Sequence, residues 1–472
     1  MLHELTAVEC LQRLHARELS AVELAHETLA RIEEADREVN AVAALDGDAV
    51  LAAAGRADDA RRAGSTLPLL GLPVTIKDTI AAAGLPFRSG SFAREGNVAT
   101  ADATVVARLS AAGAIVVAKT TVPEYAWSYE TESALQGRTL NAFDPARTSG
   151  GSSGGEGALI GRGASIAGLG TDGGGSIRVP SHYNGIVGHR PTAGLVPETG
   201  GWPTTRDTGM LDMVCIGPMA RTVDDLALLL ETIAGRDGHD PFVSVPRYTG
   251  GHRDVSPREL RVGFYGQDGV WPASPETEEA VRRAAGALED AGAVVEEVAP
   301  PPLEDANDLF FRMMAADGGA RARADLAPAN GRHIEQMLFV LELTKDFAVD
   351  ATGFFAVMAR WAALRSLLRQ FVAGYDVVLS PVTPGPAPLH GCQPGDEPLE
   401  SYLPWTNVMA YSIAGTPVTV VPAGSQRGLP IGVHVAASPF EDRVALAAAV
   451  VVESALGGYS SVSAPLLAGA RS

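Results

Sequence analysis

Residues 147–180 decide how this chain is to be read. They run Arg147-Thr148-Ser149-Gly150-Gly151-Ser152-Ser153-Gly154-Gly155-Glu156-Gly157-Ala158-Leu159-Ile160-Gly161 and, after a segment of small residues, Gly168-Leu169-Gly170-Thr171-Asp172-Gly173-Gly174-Gly175-Ser176-Ile177-Arg178-Val179-Pro180. Two glycine runs each deliver serine: Ser152 with Ser153, then Ser176. Glycine lacks the Cβ that keeps a backbone from turning sharply or approaching another group closely. Gly173, Gly174 and Gly175 therefore predict a turn that aims backbone N–H groups at one point with Ser176 at its end, which is how an oxyanion hole is built. A flexible Gly/Ser linker shares this composition, but it would be polar throughout. Here Ile166, Leu169, Ile177 and Val179 call for a core to enter.

Upstream, residues 67–76 form a short apolar run with β-branched members, the mark of a buried strand, and Lys77 ends it. The helix at 105–112 and strand at 114–118 that follow, and the strand, helix and strand at 260–265, 274–291 and 293–298, alternate as an α/β fold requires. At the N-terminus, Thr6 with Glu9 and Ser20 with Glu23 read as capping boxes of two helices, and Asp46 caps a third that Gly64 closes. Residues 303–371 turn helical, with Phe354, Val357, Met358, Trp361, Leu364, Leu368 and Phe371 on one face. Strands at 375–381 and 416–422 and a helix at 439–456 close the pattern.

The glycine-serine stretch resembles the amidase-signature hydrolases. Their hallmark is Gly-Gly-Ser-Ser-Gly-Gly followed by Gly-(Ser/Thr)-Asp-x-Gly-Gly-Ser-Ile-Arg-x-Pro, with a lysine upstream in an apolar strand, here Leu72-Pro73-Val74-Thr75-Ile76-Lys77. The run Gly154-Gly155-Glu156-Gly157-Ala158-Leu159-Ile160-Gly161 is especially similar to the branch containing fatty acid amide hydrolase. Departures are Ser149 where proline is usual, Gly173 where a larger residue is usual, and His189-Arg190 where Leu-Lys is common. The resemblance implies a Ser-cisSer-Lys relay of Ser176, Ser152 and Lys77, with Ser152 lying 24 positions before Ser176, and a cis peptide bond between Gly151 and Ser152. A lysine serves as base only when burial lowers its pKa from about 10.4 toward neutrality, and a strand end inside a sheet supplies burial. The oxyanion hole would be the N–H groups of Gly173, Gly174, Gly175 and Ser176. Ser153, Thr171, Asp172 and Arg178 would support the turn, and in a buried site Asp172 and Arg178 would need to be paired or hydrogen-bonded.

The expected fold is α/β: one compact domain over residues 1–472, with a central mixed, largely parallel sheet covered by helices on both faces. The signature core spans about 70–225 and a variable substrate-pocket region about 300–410, in which Phe310, Phe311, Met313 and Met314 are candidate pocket wall. The expected activity is hydrolysis of C–N bonds in small-molecule amides through an acyl-enzyme. Esters should react too, carbamates and urethanes lie within chemical reach, and an apolar or aryl group is favoured on the substrate. No cofactor and no metal are implied.

The 472 residues are 46% hydrophobic and 20% charged, enough for a large core. With 37 basic against 56 acidic residues the net charge is −19, which argues against nucleic acid or anionic membrane as partner. Cys10, Cys215 and Cys392 show neither a disulfide framework nor zinc spacing, and no signal peptide or membrane anchor is read, so a cytoplasmic location is expected. A homodimer is left open.

Three other readings compete. Gly150-Gly151-Ser152-Ser153-Gly154 also fits the nucleophile elbow of α/β-hydrolases, with His390 or His434 as base. The elbow needs a strand directly before it, whereas residues 141–145 are turn-like, and it leaves Lys77 and Ser176 unexplained. Gly168-Leu169-Gly170-Thr171-Asp172-Gly173 fits a dinucleotide fingerprint, but the next acidic residue is Glu198. The third alternative is the glutaminase component of a tRNA-dependent amidotransferase, a family member that passes ammonia to a partner.

Overall fold

The computed structural model describes residues 4–205, 208–245, 248, 250–391 and 406–460. Its strands are β1 (Val42–Ala44), β2 (Pro73–Lys77), β3 (Ile115–Thr120), β4 (Glu132–Ser133), β5 (Gly137–Arg138), β6 (Ala167–Asp172), β7 (Val187–Arg190), β8 (Cys215–Ala220), β9 (Arg261–Phe264), β10 (Val294–Glu297), β11 (Val377–Pro381), β12 (Val418–Gln426) and β13 (Leu429–Ala436). Strands β4 and β5 pair only with each other. The other eleven form one sheet in the order β1-β3-β2-β6-β8-β7-β12-β13-β11-β9-β10.

The α/β class and the mixed sheet hold, but the sheet is not largely parallel. Parallel pairing is confined to β2 with β3 and β6, and to β9 with β10 and β11. The remaining pairings are antiparallel. Much of the difference lies in the β12–β13 hairpin, where the sequence pattern suggested one strand ending at Pro422. Its turn is Arg427-Gly428 with φ of 52° and 81°, two left-handed residues matching the twist of the strands. Arginine is an unusual first residue for such a turn, so the usual Asn-Gly signal is missing. A register shift between Pro422 and Gly424 lets the proline sit within the strand.

Helices cover both faces. Val223–Ile233, Pro275–Asp290 and Asp442–Leu456 pack on one, while Gly154–Gly161 and Arg178–Tyr183 pack on the other. The two N-terminal capping boxes form as expected, with Thr6 accepting from the Glu9 N–H and Ser20 from that of Glu23. Asp46 caps Gly47–Arg62. The helical region after residue 303 is broken into Ala306–Met314, Ala320–Leu326, Glu335–Leu343 and Ala351–Ala373. From the predicted stripe Val357, Leu364 and Leu368 are buried, in a cluster with Leu309, Phe310 and Ile413.

Alternation along β2 puts Thr75 and Lys77 on one face, which carries Gly154–Gly161 through the Thr75–Glu156 bond, and Val74 and Ile76 on the other. Since β6 runs parallel to β2 in the next position, Lys77 and Asp172 emerge at the same edge of the sheet. Among the described residues no single helix is long and apolar enough to cross a membrane. Cys10 is a buried free thiol, Cys215 is buried, and Cys392 lies outside the described residues.

Candidate active site

Lys77 is fully buried. Its Nζ lies 2.7 Å from Ser152 Oγ and 2.7 Å from Thr171 Oγ1, with the Thr171 carbonyl at 3.5 Å. Burial pulls its pKa down from 10.5 to about 7, against the opposing pull of the Asp172 and Glu156 carboxylates. The Gly151-Ser152 peptide bond is cis, as the resemblance implied. Directly after it, Ser153 starts the helix Gly154–Gly161, and the Ser153 N–H donates to the Ser176 carbonyl at 3.1 Å. That bond ties the serine doublet to the backbone of the third serine. Among the described residues the Ser152 and Ser176 hydroxyls are not hydrogen-bonded to each other, but both line the same cavity. Such links often tighten only when substrate is bound.

The glycine turn forms where expected, with Gly175 at φ +112°, a conformation that needs glycine. Asp172 organises it. Its carboxylate accepts from the N–H groups of Gly175 at 2.8 Å, Ile177 at 3.1 Å and Arg178 at 3.2 Å. It also takes two bonds from the Arg178 guanidinium, at 2.9 and 2.8 Å. Both residues are fully buried, so the pairing demanded of the two charges is present. Burial alone would raise the Asp172 pKa, but Arg178, Arg190 and the Gly175 N–H outweigh it and hold the carboxyl well below its usual range. Arg178 continues to Ser412 Oγ at 2.7 Å.

Because Asp172 engages the Gly175 N–H, the set of oxyanion donors narrows. The N–H groups of Gly173, Gly174 and Ser176 have no partner among the described residues, and all three residues line the cavity. Two contributors were not apparent in the sequence. The Tyr129 hydroxyl donates to the Gly174 carbonyl at 2.7 Å, locking the turn from the cavity side. Glu156 is buried behind Lys77, where Thr120 Oγ1 donates to it at 2.9 Å and Thr75 Oγ1 at shorter range. Tyr129 carried no motif signal, and Glu156 belongs to the quoted run without any mark of chemistry.

The cavity beside Ser176 measures about 780 Å³. Phe310, Phe311, Met314, Val340, Leu343 and Phe347 form its apolar side. Of the four expected wall residues, Met313 alone lies elsewhere, lining a smaller neighbouring cavity of about 360 Å³. The wall also carries Glu198, Asp240 and Asp308 with His239, and Asp308 is paired with Arg312 and Arg360. No lysine or arginine is in the wall among the described residues.

The competing readings fail on geometry. Residues 139–149, before the Gly-x-Ser-x-Gly run, carry isolated bridges but no strand, and Ser152 is hydrogen-bonded to a lysine. His434 is buried against Ser380, and His390 is tied to Glu130 and the Pro145 carbonyl, so neither reaches the serines. The Gly-x-Gly-x-x-Gly segment is strand β6 itself rather than a strand-to-helix turn, which removes the dinucleotide fingerprint.

A family model described as Amidase matches residues 23–446. The chain belongs to the amidase family. It is 36% identical to one component of the glutamyl-tRNA(Gln) amidotransferase of Roseiflexus sp. (strain RS-1), across 94% of this chain and 95% of that one. Among solved structures it is similar, at 30% identity and TM-score 0.86, to a chain of a vestigial protein complex described as revealing the evolutionary origins of an s-triazine catabolic enzyme. That match covers 96% of this chain and 99% of the other. The native peptide amidase from Stenotrophomonas maltophilia matches at 27% identity and TM-score 0.82, over 97% and 98% of the two chains. The relatives in sequence named here are amidotransferase components, while a fatty acid amide hydrolase, the branch to which Glu156-Gly157-Ala158-Leu159 pointed, shares the fold at TM-score 0.85 and 24% identity.

Proposed function

We propose that this amidase-family enzyme hydrolyses the C–N bond of a small-molecule amide bearing an apolar or aryl group, with Ser176 as nucleophile, Ser152 as bridge and Lys77 as base. An unactivated serine hydroxyl attacks poorly and needs a base within hydrogen-bond reach. The Lys77 amine, with a pKa of about 7, is available in neutral form. It takes the Ser152 proton as Ser152 takes that of Ser176, whose Oγ attacks the amide carbon. The developing oxyanion is met by the N–H groups of Gly173, Gly174 and Ser176. Ser152, recharged by the protonated Lys77, then protonates the departing nitrogen, and water resolves the acyl-enzyme by the reverse transfers. The same steps act on esters and reach carbamates.

The observation that carries the substrate class is the cavity wall. An aromatic and aliphatic side beside Ser176 suits an apolar group, worth roughly 25 cal/mol per Å² of apolar surface removed from water.

A second reading is favoured by the 36% identity to the amidotransferase component: the chain is a glutaminase that hands ammonia to partner chains. The two readings separate in one experiment. The purified chain is assayed for ammonia release from L-glutamine and for aniline release from acetyl, hexanoyl and benzoyl anilides. The apolar-amide reading expects the hexanoyl or benzoyl anilide to exceed glutamine in kcat/KM by at least tenfold. Glutamine as the better substrate, or co-purification with two further chains, reverses the assignment.

A further inference from the structure

Behind Lys77, on the side away from the cavity, sits a carboxylate to which the reaction sequence above gives no task. Glu156 is fully buried on the first turn of the helix Gly154–Gly161, which starts directly after the serine doublet. Thr120 Oγ1 from β3 and Thr75 Oγ1 from β2 both donate to it, and Ser165 Oγ lies 2.8 Å from Thr75 Oγ1. Thr75 stands two residues before Lys77 on the same face of the same strand. On the neighbouring strand, Gly168 is the residue that leaves room: a Cβ there would collide with Glu156 Oε1 and Thr75 Oγ1. Two strands, a helix and a glycine thus build a fitted seat for one acid, an arrangement that a residue serving only as core filler does not require.

We propose that Glu156 is a positioning residue that acts through Lys77, its buried carboxylate setting how readily the Lys77 amine gives up and regains the proton it shuttles with Ser152. This rests on the assignment of Lys77 as base. The charged groups facing Lys77 are Asp172 from β6 and Glu156 from the helix. Asp172 exerts the larger pull on Lys77 but is committed to Arg178 by two bonds and has Arg190 at 3.7 Å. The groups facing Glu156 are the Thr75 and Thr120 hydroxyls and Lys77. The buried pair Asp78–Lys119 belongs to the other face of the sheet, since Lys119 pairs in register with Ile76 and Thr120 with Lys77. Glu156 is therefore the one facing anion without a guanidinium partner. Burial raises its own pKa to about 7, the same region as Lys77, so the charge state of each group shifts the titration of the other. An ionised Glu156 holds the proton on Lys77, and a protonated one releases it.

The test uses the intact chain and the rate at which a fluorophosphonate probe labels its serine between pH 5 and 10, for wild type, Lys77→Ala, Glu156→Gln and Thr120→Val. Wild type should label faster as pH rises through the Lys77 transition, and Lys77→Ala should lose that limb. Glu156→Gln keeps the shape and removes the negative charge, so the limb should move to lower pH by about one unit. Thr120→Val, which removes one donor to the anion, should move it the same way by less and covers the case in which Glu156→Gln does not fold. A limb within 0.2 units of wild type in a folded Glu156→Gln protein, or one moved to higher pH, overturns the proposal while leaving Lys77 as base. A Lys77→Ala protein that keeps the wild-type limb overturns the base assignment and the proposal with it.

Discussion

Replacing Asp172 with asparagine removes one charge from a fully buried pair and leaves the Arg178 guanidinium in a site without solvent. Asp172 accepts five hydrogen bonds, two from the guanidinium and three from the turn that carries Ser176. Asparagine retains one acceptor oxygen and turns its NH₂ toward a donor. Breaking a buried ion pair from one side costs about 3–5 kcal/mol. An unfolding entropy of roughly 2.1 cal/mol/K per residue gives about 1 kcal/mol/K for the chain, so Tm should fall by about 3–5 °C. The same loss slackens the turn. Since one mispositioned oxyanion donor costs about 10²–10³ in rate, labelling of Ser176 by a fluorophosphonate should slow by at least that factor at a temperature where the variant is folded. The double variant Asp172→Leu with Arg178→Met should recover part of the Tm without recovering the labelling rate, because an apolar pair relieves the stranded charge but offers the turn no acceptor. A single variant that melts within 1 °C of wild type and labels at the wild-type rate would refute the argument that this carboxylate holds the turn.

Four further outcomes are expected. Lys77→Ala should lower kcat/KM about 10²–10⁴-fold. In the wild type, activity should rise with pH through about 7, because the reacting form is the neutral amine; a pH–rate profile falling through that region would contradict it. Tyr129→Phe loses the bond to the Gly174 carbonyl, worth about 0.5–1.5 kcal/mol, and should slow turnover by roughly threefold to tenfold without a matching rise in KM, as steady-state kinetics would show. His390→Ala and His434→Ala should keep most activity per folded molecule, and loss of activity in either at normal stability would return a histidine to the mechanism.

What the sequence made legible follows physical range. The capping boxes at Thr6 and Ser20 and the two glycine runs are local signals and form where the pattern put them, whereas the strand expected over 67–76 is confined to Pro73–Lys77, residues 67–72 being turn and coil. The pairing of Asp172 with Arg178 was also readable, since two charges six residues apart across a buried turn have few other partners. Sheet direction was not: β7, β8 and the β12–β13 hairpin pair antiparallel through contacts and a turn that carry no composition signal. Tyr129 and the wall carboxylates Glu198, Asp240 and Asp308 come from separated loops and helices, whose convergence on the cavity beside Ser176 is a property of the fold. The diversion of the Gly175 N–H to Asp172 was equally hidden, because a glycine run announces a turn but not which of its N–H groups the turn consumes.

The central claim is that one serine of three is the nucleophile and that a lysine activates it. The most direct measurement is peptide mapping after a fluorophosphonate probe on wild type and Lys77→Ala. The account predicts a single adduct on Ser176, formed far more slowly in the variant. An adduct on Ser152 or Ser153, or equal labelling rates in the two proteins, would contradict it.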